Sequence, residues 1–195
     1  MLPIYLRYLL TSALICEKLH IMQEIEVKIL QVNKPEMLAK LAELGAEKHF
    51  EGELYAIFWD TKDSNFREKK QALRLRKEGE EVALTFKSPI SLEAAKIMEE
   101  LEVKVSDFEV MRKILMALGY EHVKSTRKIR EEYLLQGTKI VFDQYLDDLG
   151  YIPLFIEIEA ADLESLYKVV NLLGYTEVDC KNWNTYEIAD YYKNK

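Results

Sequence analysis

Charged and aliphatic residues alternate with a period of two in several separated segments of this chain. Glu24, Glu26 and Lys28 interleave with Ile25, Val27 and Ile29, Arg74 and Arg76 with Leu73 and Leu75, and Glu157 and Glu159 with Ile156 and Ile158. Lys128 and Arg130 flank Ile129 in the same way. Side chains two apart on a strand share a face, so each segment has one apolar and one ionic face. A solvated strand face often carries such charges, and each segment taken alone reads as one. Independent strands repeating the parity with complementary signs point instead to a single enclosed ionic surface.

Three segments share a further pattern, in which a Glu-rich strand runs into a helix closed by Leu-Gly: EIEVKILQVNKPEMLAKLAELGA, ELEVKVSDFEVMRKILMALGY and FIEIEAADLESLYKVVNLLGY. This repeat predicts three β-α-β units. Asn33 with Pro35, Ser106 or Asp107, and Asp162 stand at helix starts, and Gly45, Gly119 and Gly174 at helix ends. Met37, Leu38, Leu41 and Leu44 fall on one helical face, as do Met111, Leu115 and Leu118, and Leu163, Leu166, Val170 and Leu173. Further strands are expected over 54–61, 72–77, 82–87, 123–135, 138–145 and 154–160. Many strands with only three helices predict an α+β chain built on an antiparallel β-barrel flanked by helices.

If the helices cover the apolar faces, the charges line the barrel, where burying them unpaired is costly. A polar lumen of this kind implies a charged ligand. The carboxylates are oxygen donors suited to Mg²⁺ or Mn²⁺. Arg74, Arg76 and Arg130 offer planar forks to phosphate oxygens, and Lys28, Lys87 and Lys128 add compact charges. Lys124, Arg127 and Lys128 also read as a solvated basic run, and Glu100, Glu102 and Lys104 equally as lumen residues or as interstrand ion pairs. His20, His49 and His122 have no ligand-like spacing, and Phe58 and Trp59 read as core or rim aromatics.

The chain has 195 residues and a net charge of −7, which argues against a nucleic-acid surface. Cys16 and Cys180 are too few for a disulfide framework, pointing to a cytoplasmic setting. Residues 1–21 read as an N-terminal extension from an upstream start codon, Met22 standing at the first strand, and residues 22–195 as the domain. The other reading of the extension is a short amphipathic helix on the domain or a membrane; it lacks clustered Lys and Arg and is too short to span one.

In this order the motifs resemble the CYTH superfamily, the triphosphate tunnel metalloenzymes that include class IV adenylate cyclases, thiamine triphosphatases and inorganic triphosphatases. The family's ExExK is matched by Glu24, Glu26 and Lys28, and its YFDT…ALRLR region by FWDTKDSNFREKKQALRLR. Its lysine strand is similar to ALTFKSP with Lys87, its K-x-R strand to Lys128 and Arg130, and its late LD…LG…EIE region to FDQYLDDLGYIPLFIEIE. The resemblance covers nearly everything from Met22 onward and implies metal-binding roles for Glu24, Glu26, Asp143, Glu157 and Glu159. It implies phosphate binding by Lys28, Arg74, Arg76, Lys87, Lys128 and Arg130, with catalytic roles among Glu24, Glu26, Lys28, Lys87 and Glu159. A homodimer is a further implication.

The family's cyclases carry a His-Phe pair shortly before ExExK, where this chain has Glu17 to Ile21, and vertebrate thiamine triphosphatases place a tryptophan where Ala72 stands. Phe58 replaces the Tyr of YFDT, and Tyr151-Ile152-Pro153 is additional. The expected function is therefore a metal-dependent hydrolase of inorganic tripolyphosphate or an organic triphosphate. The alternatives are an adenylate cyclase making cyclic AMP and pyrophosphate, and a non-catalytic polyphosphate or nucleotide binding module.

Overall fold

The computed structural model describes residues 21–91 and 95–195, with side chains from Ile25 onward. The predicted extension, and with it Cys16 and His20, therefore lies outside the described residues, except that Ile21 already belongs to the first strand. Eight strands are described: β1 (Ile21–Leu30), β2 (Glu47–Asp60), β3 (Ala72–Glu78), β4 (Glu81–Ser91), β5 (Lys96–Lys104), β6 (Glu121–Leu135), β7 (Thr138–Tyr145) and β8 (Phe155–Ala160). They close into one barrel in the order β1-β5-β4-β3-β2-β6-β7-β8, every neighbour antiparallel. Closure leaves no free sheet edge around the ring and gives each strand an inside and an outside. β2 begins earlier than expected, because Glu47–Glu53 pairs with the far half of β6 across an irregularity between Lys48 and Phe50.

The expected helices form as α1 (Lys34–Glu43), α3 (Phe108–Ala117) and α4 (Leu163–Leu172), but two more are present, α2 (Asn65–Glu68) and α5 (Thr185–Lys193). The count of three was short. α2 is a single turn with no periodic stripe to detect. α5 was legible in Asn184 followed three residues later by Glu187: Asn184 Oδ1 accepts from the Tyr186 and Glu187 N–H groups, and Glu187 accepts from that of Asn184. Asn33, Asp107 and Asp162 cap the other three, each side chain accepting an N–H from the first turn.

The third repeat departs from the prediction. After Gly174, at φ +90°, the chain enters a 3₁₀ turn and then makes only an isolated bridge, Lys181 to Lys28. β1 pairs with β5 only as far as Glu26, and on that side Lys28 takes Lys181 alone.

The apolar faces turn outward under the helices. Met37 and Leu41 of α1, with Leu166, Val169 and Val170 of α4, pack on Val27, Ile29, Ile140, Phe142, Ile156 and Ile158. Leu115 of α3 covers Ile57, Trp59, Leu73, Leu75 and Val82. Leu118 and Leu163, expected on buried faces, are exposed, because they fall at the ends of ten-residue helices where the chain leaves the barrel. A third cluster joins Tyr145 and Phe155 to Ile152 and to Ile188 of α5. The additional Tyr151-Ile152-Pro153 thus supplies an anchor for the C-terminal helix. No helix among the described residues is long and apolar enough to cross a membrane.

Candidate functional site

Inside the barrel lies a cavity of about 1350 Å³. Short side chains leave this space open: Ala56 on β2 and Thr126 on β6 face it where a packed core would carry large residues. Among the described residues its wall carries twelve lysines and arginines against seven carboxylates, an excess of positive charge within a chain that is negative overall. A low-dielectric enclosure of that sign favours a polyanion.

The acidic part is assembled by β1 and β8. Their register sets Glu26 opposite Glu159 and Lys28 opposite Glu157. Like charges directly across a ladder are destabilising unless a cation lies between them. Carboxylate oxygens of Glu26, Glu157 and Glu159 all come within 4.8 Å of one another, a hard-oxygen set that fits a divalent cation. Protein cations also reach this cluster: Lys28 Nζ lies 2.8 Å from Glu26 and 3.1 Å from Glu157, Lys96 Nζ 2.6 Å from Glu26, and Lys139 Nζ 2.9 Å from Glu159. Burial alone would raise the Glu26 carboxyl, but Lys28, Lys96 and Lys87 hold it well below the usual carboxylate range. Burial would likewise push the Lys28 amine down, and Glu157 and Glu26 raise it above its ordinary value. Glu24 lies in β1 opposite Met98, and its side chain is outside the described part of the structure.

The basic part comes from β3, β4 and β6. Arg74 donates to Thr85 Oγ1 at 3.5 Å, Arg76 lies 3.3 Å from Glu78 and 3.6 Å from Glu102, and Lys87 pairs with Glu100. Glu100 and Glu102 are thus both lumen residues and interstrand ion pairs. The run at Lys124–Lys128 is divided by alternation: Lys124 and Lys128 line the cavity, whereas Arg127 is exposed and bridges Glu53 with two hydrogen bonds of 3.0 Å.

Arg130 on β6 reaches Asp143 on β7 and, at 3.1 Å, Glu157. Lys128 also pairs with Asp143. Burial pushes the Lys128 amine down and the neighbouring Arg130 adds to this, while Asp143 and Glu157 offset part of it. Against its own burial, the Asp143 carboxyl is held far down by Arg130 and Lys128. Asp143 stands apart from the three-carboxylate cluster, its oxygens already engaged by two cations.

Four features of the wall went unread in the sequence. Lys96 and Lys139 were legible as extensions of the alternation through Met98–Glu100–Glu102 and Val141–Asp143. The segment 182–187 lines one mouth of the cavity. Asp60, buried at the end of β2, accepts from the N–H groups of Thr61, Phe66 and Arg67 and so fixes the turn that brings Arg67 to that mouth. His49 and His122 are exposed, as expected.

The CYTH domain family model matches residues 22–179. The chain belongs to the CYTH domain family. The antiparallel barrel flanked by helices that the sequence predicts is the fold observed, closed by eight strands. A Methanocaldococcus jannaschii protein named "Putative adenylate cyclase" is 36% identical over 141 residues, covering 71% of this chain and 77% of its own length. A Vibrio parahaemolyticus structure described in the same words superposes with a TM-score of 0.72 at 20% identity, covering 87% and 98% of the two chains. A Hippeastrum structure, described as a "Putative adenylyl cyclase" that reveals a dominant triphosphatase activity, has a TM-score of 0.60 at 15% identity, with 87% and 95% covered. These structural likenesses establish a shared fold.

Proposed function

We propose that this chain is a Mg²⁺- or Mn²⁺-dependent triphosphatase that releases the terminal phosphoryl group of inorganic tripolyphosphate or an organic triphosphate. The observation that carries this reading is the convergence of Glu26, Glu157 and Glu159 within 4.8 Å, in a cavity whose remaining wall is predominantly basic. Acid for a metal beside base for phosphate is the combination that phosphoryl transfer uses.

Glu26, Glu157 and Glu159, completed on the sequence reading by Glu24, would hold one or two ions. A bound ion supplies charge neutralisation at phosphate oxygens and an activated water. The chain's own cations do the rest. Arg74, Arg76 and Arg130 present forked N–H donors, and Lys28, Lys87 and Lys128 present point charges, to the oxygens along the polyphosphate. Charge that builds on the departing group meets these preorganised donors inside the protein-walled barrel, where each is worth more than in bulk water. Asp143 works through its partners, keeping Arg130 and Lys128 aimed. Burial and the neighbouring Arg130 push the Lys128 amine down, and a phosphate beside it would favour its charged form as Asp143 already does.

A second reading, adenylate cyclase, is favoured by the name of the M. jannaschii relative. The same cage serves it if the ribose 3′-hydroxyl attacks the α-phosphorus. Product analysis with tripolyphosphate, ATP and thiamine triphosphate, each with Mg²⁺ and with Mn²⁺, separates the two. Orthophosphate release supports hydrolysis, cyclic AMP with pyrophosphate supports cyclisation, and tight metal-dependent binding without products removes both in favour of a binding module.

A further inference from the structure

One mouth of the cavity is charged differently from its interior. Deeper in the barrel the cations have carboxylate partners: Lys28 and Lys96 on Glu26, Lys87 on Glu100, Arg130 on Asp143. At the mouth, among the described residues, neither Lys124 on β6 nor Arg67 on α2 has a carboxylate ion-pair partner. The two nearby carboxylates are engaged by backbone: Asp60 takes the N–H groups of Thr61, Phe66 and Arg67, and Glu187 that of Asn184.

Aromatic rings hold the lysine in place. Lys124 Nζ lies 3.4 Å from the centroid of the Tyr186 ring and 4.9 Å from that of Phe58, and Arg67 Cζ lies 5.9 Å from the Tyr186 centroid. A nucleobase stacking on the ring face that the amine occupies would have to displace it. An anion, by contrast, could meet Lys124 and Arg67 without disturbing them. Burial, and then the neighbouring Arg67, push the Lys124 amine down to about 8. Its charge is therefore one that an incoming anion would stabilise.

The mouth is also at a suitable reach. Phe58 pairs with Lys124 on one side and Arg74 on the other, and Lys124 precedes Lys128 by four residues, about 13 Å along a strand at roughly 3.3 Å per residue. A linear polyanion seated on Lys128, Arg130 and Arg74 would extend toward Lys124.

We infer that Lys124, positioned by Tyr186 and Phe58 and assisted by Arg67, forms an anion subsite that reads the end of the substrate remote from the acidic cluster. It selects a linear inorganic polyphosphate over a nucleoside triphosphate. This rests on the triphosphatase reading and narrows its substrate.

The test compares kcat/KM for phosphate release from tripolyphosphate, tetrapolyphosphate and ATP in the wild type, Lys124→Met, Lys124→Arg and Arg67→Met. The wild type should prefer both polyphosphates. Lys124→Met should lower kcat/KM for them about tenfold, chiefly through KM, with the ATP value changed less than about twofold. Lys124→Arg should keep the preference. Arg67→Met, on an exposed turn and so tolerant in folding, should shift selectivity the same way by a smaller factor. An equal loss on all three substrates, an unchanged ratio in both Met variants, or a wild-type preference for ATP overturns the subsite while leaving the triphosphatase standing. A wild type that hydrolyses none of the three takes both down.

Discussion

Arg130 and Asp143 occupy paired positions on β6 and β7 and are joined by two parallel hydrogen bonds, Nε to Oδ1 at 2.8 Å and Nη2 to Oδ2 at 2.7 Å. The fork fixes the guanidinium plane, and the remaining Nη2 contact to Glu157 ties the basic wall to the acidic cluster. Asp143 thus couples two halves of the site without lying among the three converging carboxylates.

Replacing one partner of such a buried pair leaves the other charge uncompensated. Asp143→Asn should cost about 3–5 kcal/mol in stability, read by denaturant unfolding. Unchanged stability together with a loss of Mg²⁺ affinity would instead make Asp143 a metal ligand.

Glu26→Gln and Glu159→Gln each remove a charged oxygen donor from the 4.8 Å cluster. Both should abolish metal-dependent phosphate release while the fold is kept, as judged by circular dichroism. Undiminished turnover in both variants would exclude this cluster as the centre of the chemistry.

An ion that binds only the folded chain must raise its stability. Mg²⁺ at 100 times its dissociation constant should add about 2.7 kcal/mol, seen as a raised Tm and reversed by a chelator. In Glu26→Gln the rise should vanish; a rise of equal size there would place the bound ion elsewhere.

Asp60 accepts three backbone N–H groups, and against its burial these hold its carboxyl below the ordinary value of 3.8. A depressed folded pKa means that its stabilisation is complete above pH 3.8 and is lost as pH falls through the lower folded value. Asp60→Ala should cost about 0.5–2 kcal/mol at neutral pH, by analogy with a lost helix cap. It should also speed amide hydrogen exchange at Phe66 and Arg67 and flatten the acid limb of the stability profile. Exchange at those two amides unchanged from wild type would deny Asp60 its role in fixing the turn.

Alternation of charge with aliphatics was enough to read a barrel with an ionic interior, because a period of two is a local property of strands. Capping residues and Leu-Gly ends gave α1, α3 and α4 for the same reason: Asn33, Asp107 and Asp162 act within one helical turn. The alternation through Lys28, Arg76, Lys128 and Glu157 likewise marked lumen residues without any knowledge of neighbours.

What the chain alone left open depends on register and closure. Whether Glu26 faces Glu159, whether Asp143 meets Arg130, and whether Lys124 falls inside with Lys128 while Arg127 falls outside are decided by pairings between distant strands. A slip of one residue would reverse the last of these. Lys96 reaches Glu26 only because β5 closes the ring beside β1. The mouth built by α5 likewise exists only once Ile188 packs on Ile152 and Phe155. The sequence by itself determined which side chains share a face; the tertiary structure decided which faces meet, because that choice lies in contacts between residues far apart along the chain.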